Sequence, residues 1–384
     1  LLVFNVETQS LMHVGKNGVP RAGFNSDRNN LAPRIGFSWD PHGQGKMVFR
    51  GAYGIFYDSG TLVENSALCF NPPFFQLNLF FPGSAGPITL DDPFPSTQAF
   101  SPAPSPITLA RDFRTSYMQQ WSFGIQNELV RGILFEVDYV GSKGTGLVMK
   151  RNLNQPLPGP GDLATRRPFP EFNDILIIES AASSIYHALQ ARVRKHYSGG
   201  LYFSAAYTFS KSIDNASAFL ESQGDGNTPQ DSWNTRAERS LSNFDLRHRL
   251  AVSLVYDLPL GPRGHWLRGV SGFFLALVRN WQASTIFTAR SGQPFTPRLT
   301  TDNSNTGNVG GFFAHDRPNL VGDTRLTNPT PEEFFNVDAF EIADPFNFGN
   351  SGRNILIGPN YSTLDFAFTR KFHVWEEVNF QFRA

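Results

Sequence analysis

The sequence contains very little cysteine and little charge. Cys69 is the only cysteine among 384 residues, which excludes a disulfide framework and a cysteine-ligated metal site. Charged residues make up 17% of the chain, against about 25% in a typical soluble domain. The formal net charge is zero and the pI is near 7.3. The composition therefore gives no indication of a nucleic-acid partner.

A long apolar segment is missing as well. The longest clean apolar run is six residues, from Phe273 to Val278, whereas a membrane-spanning helix needs about 20. Mean hydropathy is −0.27, and helical periodicity is hard to find along the chain. These features exclude a bundle of membrane helices.

Motifs for catalysis are not found either: there is no nucleophile elbow, zinc-protease helix, P-loop or dinucleotide-binding glycine pattern. The glycine cluster at 141–146 favours a tight strand-exit turn. Residues 302–307 resemble the start of a calcium loop, but Phe313 stands where the twelfth position needs Glu, which favours a polar loop. His248 is interpreted as a hydrogen-bonding residue at a strand entry, with a proton-coupled or ligand role as the alternative. We expect a protein that has no enzymatic activity, no cofactor and no metal site.

What the chain does contain is aromatic residues in alternating patterns. Phe occurs 37 times. Apolar and polar residues alternate with a period of two, which indicates β-strands with two unlike faces. About ten strands follow, of roughly the 9–11 residues that a tilted membrane strand requires. They cover residues 34–40, 47–57, 117–129, 133–139, 189–194, 201–210, 249–257, 281–289, 364–369 and 378–383.

The connections between these strands alternate between short and long. The short ones lie at about 40–46, 130–132, 197–200, 258–275 and 372–376, and the long ones at about 58–115, 142–187, 212–247 and 291–361. Soluble domains rarely contain structureless loops longer than about 15 residues. Short periplasmic turns alternating with long extracellular loops are typical of outer-membrane barrels. The sequence therefore predicts an all-β fold, an antiparallel transmembrane β-barrel segment.

In lipid every backbone polar group must be satisfied within the protein, so a sheet spans a membrane only as part of a closed barrel. One face then meets lipid and is apolar, while the other lines the lumen and can be charged. The lumen-facing candidates are Arg50, Glu136, Asp138, Arg192, Arg194, Arg249 and Asp365. The lipid-facing candidates are Tyr53, Ile55, Trp121, Phe123, Phe135, Val137, Phe203, Val252, Leu254, Phe366 and Phe380.

Two soluble folds compete with this interpretation. A β-sandwich would explain any single amphipathic strand, but it explains about ten in succession poorly. A β-propeller requires a repeat of about 40–50 residues, and the hairpins here begin at no fixed period.

Several stretches of the chain resemble a known family. They are 32–37, 50–58, 120–126, 139–144, 207–214, 244–249, 257–261 and 291–295. In this order they resemble the Oar-like, Acidobacteria-type branch of TonB-dependent receptors, which carry an N-terminal carboxypeptidase-regulatory-like domain. The resemblance covers about residues 30 to 384.

The resemblance implies a barrel of about 22 strands with a plugged lumen, of which residues 1–384 form one part. We expect the plug and the regulatory-like domain to be absent from this chain. The implied function is an outer-membrane receptor of a Gram-negative bacterium. It binds an unknown substrate at its extracellular loops and passes it through the lumen with energy from the inner membrane. Its partners would be outer-membrane lipid and, through an N-terminal region missing here, the TonB complex. The alternatives are a passive porin-like channel and a soluble secreted glycan-binding β-protein.

Overall fold

The computed structural model describes residues 1–58, 67–75, 89–91, 103–218, 227–261, 265–309, 314–375 and 378–384. Within these residues the chain forms β-strands, two short α-helices and three 3-10 helices, which are Ala67–Phe70, Thr235–Glu238 and Val337–Ala339. The strands are β1 Leu2–Asn5, β2 Ser10–His13, β3 Arg34–Trp39, β4 Met47–Tyr57, β5 Ile107–Leu109, β6 Tyr117–Val130, β7 Ile133–Asn152, β8 Leu176–Ser198, β9 Leu201–Asp214, β10 Ser240–Leu241, β11 His248–Asp257, β12 Trp281–Arg290, β13 Pro294–Phe295, β14 Asn319–Leu320, β15 Phe340–Glu341, β16 Leu356–Ile357, β17 Tyr361–Trp375 and β18 Val378–Arg383. The α-helices are α1 Leu163–Arg166 and α2 Gly272–Val278.

Ten of these strands form one sheet in which each strand pairs with the next one along the chain. The order is β3-β4-β6-β7-β8-β9-β11-β12-β17-β18, and every pair on this path is antiparallel. Short strands join at the side, β10 to β9 and β5 in parallel to β8. The fold is all-β and largely antiparallel, as the sequence predicts. The sheet is open, because among the described residues β3 and β18 each pair along one edge only.

Glycines inside the strands allow aromatic rings to lie flat on the sheet. The indole of Trp121 covers Gly141 on the neighbouring strand, and the ring of Phe37 covers Gly51. A Cβ atom at either glycine would collide with the ring above it. A large aromatic ring over a cross-strand glycine fills the gap that glycine leaves and fixes the pairing register.

Several strands are longer than the alternation predicts. β17 covers Tyr361–Trp375, so the predicted short connection at 372–376 falls mostly within this strand. β7 runs on to Asn152 and β8 begins at Leu176, so the predicted loop at 142–187 is wrong at both ends, and the connection is residues 153–175. The prediction of a strand-exit turn at 141–146 is also wrong. These residues continue β7, with register shifts near Thr145 and Leu147 that keep the ladder paired.

The connections also contain structure that the sequence analysis did not predict. The predicted short turn at 258–275 runs into α2. This helix contains the apolar run from Phe273 to Val278, so the described chain includes a helix that the alternation does not predict. The long connection at 291–361 holds the pairs β13–β16 and β14–β15. The first residues of the chain form the hairpin β1–β2. These elements are too short and too irregularly spaced to produce a periodic pattern in the sequence.

Candidate functional site

The strand register places all the predicted charged residues on one face of the sheet. Residues directly opposite in an antiparallel ladder point to the same side, so one row of partners can be followed across the sheet. That row is Arg50, Gly124, Asp138, Gln190, Thr208, Arg249, Arg290 and Tyr361. Glu136 pairs with Arg192, and Arg194 leads through Ser204, Ser253 and Ile286 to Asp365 on the same side. We call this side the charged face.

The opposite side carries all eleven residues that were assigned to lipid, and we call it the apolar face. One of its rows, which holds Phe135 and Val252, is Phe135, Val193, Ala205, Val252, Phe287 and Leu364. Large side chains on this face are uncovered: Ile35 is 74% exposed, Leu364 68% and Phe380 60%. A contiguous exposed apolar surface indicates contact with a partner or a membrane. That this face meets lipid and the other the lumen stays a prediction.

Polar contacts within the charged face link neighbouring strands. Arg192 Nη1 lies 3.4 Å from Glu136 Oε2 across β7 and β8. The carboxylate of Asp138 lies over Gly124, in the space that a side chain at that position would fill. Gly124 stands between Arg50 and Asp138 in the same row, so the glycine lets the carboxylate reach toward the arginine on β4. The sequence analysis gave Gly124 no such role.

At the loop ends of the strands, the long connections pack into a second layer, which we call the loop layer. It comprises the described parts of 1–33, 58–116, 146–182, 214–247 and 291–360. Part of it is held by apolar contacts between the β1–β2 hairpin, β5 and the start of β8. Its main buried residues are Val3, Val19, Leu68, Leu109, Phe113 and Ile178. The predicted structureless loops are therefore ordered where the structure describes them.

Another part of the loop layer has a polar core. Arg353 is 4% exposed, and its guanidinium forms an ion pair with the carboxylate of Asp214 at the end of β9. The same guanidinium donates to Ser217 Oγ and to the backbone oxygen of Glu238, both at 3.0 Å. Because Arg353 precedes β17, these contacts connect the last long connection to the third.

A second buried ion pair joins the same two connections. Arg317 Nη1 donates to Glu238 Oε2 at 2.8 Å and Nη2 to Oε1 at 3.0 Å, a bidentate geometry that fixes both side chains. Gln230 adds a third link, because its Oε1 accepts from the backbone N–H of Arg317 at 2.6 Å. The connection after β7 has its own pair, Arg167 with Asp174 at 2.8 Å. These residues are not predicted from the sequence, because no spacing pattern marks a contact between distant loops.

The segment at 302–307 forms a tight polar turn. Asp302 accepts hydrogen bonds from the backbone N–H groups of Thr306 and Gly307 at 3.0 and 2.7 Å. Ser304 donates through its backbone N–H and its hydroxyl to Asp316 at 2.6 and 3.0 Å. Burial raises the pKa of Asp316, although these donors act against the rise. Phe313, on which the calcium interpretation was tested, lies outside the described residues.

Asp245 has a related environment just before β11. Its Oδ1 accepts from the backbone N–H of Ser212 at 2.6 Å, and burial raises its pKa. Three residues later, the ring of His248 lies on the apolar face, with Nδ1 2.7 Å from the hydroxyl of Tyr207. The backbone N–H of His248 donates to Ser291 Oγ at 3.2 Å. His248 is thus a hydrogen-bonding residue at a strand entry, as the sequence predicts.

One cavity opens in the loop layer beside Trp233. Its volume is about 620 Å³, within the range of about 300–1,000 Å³ usual for small-molecule sites. Trp233 is half exposed, and its indole N–H donates to the backbone oxygen of Gln155 at 3.0 Å. The walls are Gln155, Pro156, Leu157, Pro158, Gly159, Pro160, Arg166, Pro168 and Trp233.

No helix in the described part of the chain has the length and hydropathy to cross a bilayer. Within the same ranges, no three side chains among His, Cys, Asp and Glu come together in an arrangement that would hold a metal ion.

A consecutive antiparallel sheet with one apolar and one charged face, joined by alternately short and long connections, defines the class of outer-membrane β-barrels. The chain belongs to the outer membrane beta barrel domain family, whose match covers residues 1–384. It is therefore a domain of the Gram-negative outer membrane. An outer-membrane domain is not a soluble secreted protein, so the soluble glycan-binding alternative is set aside. No curated protein matches the sequence.

Three solved structures are similar to this chain over part of their length. The transporter YddB from Escherichia coli is 11% identical, with a TM-score of 0.45, and the match covers 89% of this chain and 34% of that one. A mutant (Q482A) of the ferric enterobactin receptor PfeA from Pseudomonas aeruginosa, in complex with enterobactin, is 12% identical, with a TM-score of 0.42 and coverage of 89% and 33%. The iron transporter FrpB from Neisseria meningitidis is 10% identical, with a TM-score of 0.41 and coverage of 89% and 32%. The chain thus spans about a third of the length of these structures.

Proposed function

We propose that this chain is part of the barrel of a TonB-dependent receptor of the Oar-like type. The receptor binds a substrate at its extracellular loops and passes it through the lumen with energy from the inner membrane. Residues 1–384 form part of one barrel domain, and the plug and the regulatory-like domain lie outside this chain. The charged face lines the lumen and the apolar face meets outer-membrane lipid.

The observation that carries the proposal is the ordered loop layer at one end of the charged face. Buried ion pairs such as Arg353–Asp214 and Arg317–Glu238 hold distant connections in one arrangement. A binding surface whose groups are fixed in advance loses less entropy when it takes up a ligand. Loops that served only to join strands would need no such core. The cavity beside Trp233 lies in this layer and is one place where a solute can bind.

Energy coupling rests on the family resemblance of the ordered motifs between about residues 30 and 384, and on the membership in an outer-membrane family. The coupling parts themselves, a plug and a segment that contacts TonB, would belong to the full-length protein. The rival for this fold is a passive porin-like channel, which requires neither.

The test uses the full-length protein extracted from outer membranes. We expect it to bind the purified periplasmic domain of TonB in a pull-down and to give no steady conductance in a planar bilayer, because a plug occupies the lumen. Stable open channels together with no binding of TonB would contradict the proposal and favour the passive channel. A known TonB-dependent receptor and a porin, treated in the same way, are the controls.

A further inference from the structure

We propose that Arg249 and Arg290 form a binding site for an oxyanion, a carboxylate or phosphate group of the transported solute. The site lies on the charged face next to the loop layer. The inference rests on the proposed function for the direction of this face, and it adds the chemical class of the solute.

The two arginines are direct partners in the ladder of β11 and β12. Side chains in such a pair point to the same side, with Cβ atoms about 4.5–5.5 Å apart, and like charges in this position repel each other. Arg249 is the second residue of β11 and Arg290 the last residue of β12. Both side chains are exposed. The pair therefore stands at the mouth of the charged face, where a solute leaving the loops would first arrive.

No carboxylate compensates this pair among the described residues, whereas other arginines of the chain have one. Six arginines pair with an acidic partner: Arg151, Arg167, Arg192, Arg247, Arg317 and Arg353. On the charged face, Asp138 stands three strands from Arg249 in the same row, about 14 Å away at the usual strand spacing. Asp365 lies on β17, the strand next to β12, and is four residues further along that strand than Tyr361, the partner of Arg290. Four residues correspond to about 13 Å along the strand.

The neighbours in the row supply hydroxyl and aromatic groups instead. Arg249 faces Thr208 on its other side, and Arg290 faces Tyr361. The guanidinium of Arg290 lies 5.1 Å from the centre of the Tyr361 ring, which supports the side chain without neutralising it. Guanidinium groups bind carboxylate and phosphate through paired hydrogen bonds. An oxyanion bound between the two arginines would remove their repulsion. Because no described carboxylate neutralises the pair, we infer that the ligand carries the negative charge.

The experiment measures the modification of individual arginines in the full-length protein in detergent. Phenylglyoxal reacts with accessible guanidinium groups, and mass spectrometry of peptides gives the rate at each site. The probe is inorganic phosphate, with chloride at the same ionic strength as the reference. At a phosphate concentration about ten times Kd, occupancy slows the reaction of Arg249 and Arg290 about tenfold. Arg192, which is exposed and already paired with Glu136, should react at an unchanged rate.

A matched set of variants provides a second readout, the thermal unfolding temperature. Phosphate should raise it in the wild type and in Arg192→Gln, but not in Arg249→Gln or Arg290→Gln. Without phosphate and at low salt, Arg290→Gln should be at least as stable as the wild type, because it removes a repulsion. Equal stabilisation of all four proteins by phosphate, or equal slowing of all arginines, would overturn the proposal.

Failure of the site and failure of the proposed function give different results. If the charged face did not line a wet lumen, phenylglyoxal would not reach Arg249, Arg290 or Arg192 at all, and both ideas would fall. If the three react readily but phosphate protects none, the face is wet and the oxyanion site alone is wrong. Specific protection together with no binding of TonB would keep the site and remove only the energy-coupled mechanism.

Discussion

Neighbouring residues of β11 illustrate how side-chain polarity divides the sheet. Val252 lies between Ala205 and Phe287 on the apolar face, and Ser253 lies between Ser204 and Ile286 on the charged face. The alternation in sequence predicts this division because the side-chain period of a strand is two. Ile286 shows the limit of that rule, since an apolar residue stands on the charged face where pattern alone would place a polar one.

A single charge should therefore destabilise the protein to very different extents at these two positions. We expect Val252→Arg to cost about 2–4 kcal/mol of folding free energy, the usual penalty for Arg facing lipid near the bilayer midplane. Ser253→Arg should cost much less, because water reaches the lumen side. Refolding titrations of the full-length protein into lipid vesicles give both values. Equal penalties would contradict the assignment of the two faces.

The separate elements differ in how far the sequence predicts them. The ten strands of the sheet follow from alternation and from the spacing of turns, since both signals are local. The contact between Asp214 and Arg353 spans 139 positions, and neither residue stands in a local pattern. The end of β7 and the start of β8 are not predicted either. These parts of the strands pack on loop residues such as Leu109 and Phe113, so apolar and polar residues no longer alternate along them.

Removing one partner of the buried pair should destabilise the loop layer strongly. In Arg353→Ala the carboxylate of Asp214, which is 1% exposed, stays buried without its cation. We expect a loss of about 3–5 kcal/mol, the range for a buried pair broken on one side. The double variant Arg353→Met with Asp214→Leu should lose less, because no charge is left uncompensated. Urea unfolding of the full-length protein compares them, with the exposed Arg325→Ala as control. A double variant as unstable as the single one would count against a role for charge burial.

The loop layer also separates sites that tolerate insertion from sites that do not. An epitope tag after Glu332, in an exposed stretch, should leave assembly intact and bind antibody on whole cells. A tag at Asn305 should impair assembly, because its side-chain amide donates to the backbone oxygens of Gly159 and Gly161 at 3.0 and 2.9 Å.

Antibody binding on intact cells, compared with cells whose outer membrane has been broken, gives the topology. If the tag after Glu332 were reached only in broken cells, the loops would be periplasmic and the orientation proposed for the sheet would be reversed.

At the scale of the whole molecule, the central feature is that the sheet is open. β3 and β18 are the outermost strands, and among the described residues neither pairs along its outer edge. Unpaired backbone groups cost several kcal/mol each in lipid, and in water such edges recruit other chains. A barrel of about ten strands is geometrically possible, since natural barrels start at about eight. It would, however, force the charged face into a far smaller lumen.

We therefore expect residues 1–384, refolded alone in detergent, to aggregate or to form an open sheet rather than a closed pore. Size-exclusion chromatography and planar-bilayer recordings of the isolated segment check this. A monodisperse monomer with stable single-channel conductance would mean that the segment closes by itself.

We propose that this sheet is a barrel wall with lipid on its apolar face and water on its charged face. Site-directed spin labelling along β11, one label at a time from residue 249 to 257 in the full-length protein in lipid vesicles, tests it most directly. Collisions with dissolved oxygen, which concentrates in lipid, should be frequent at 250, 252, 254 and 256. Collisions with a water-soluble nickel complex should be frequent at 249, 251, 253, 255 and 257. Labels that all collide with nickel, or that show no alternation, would contradict the account.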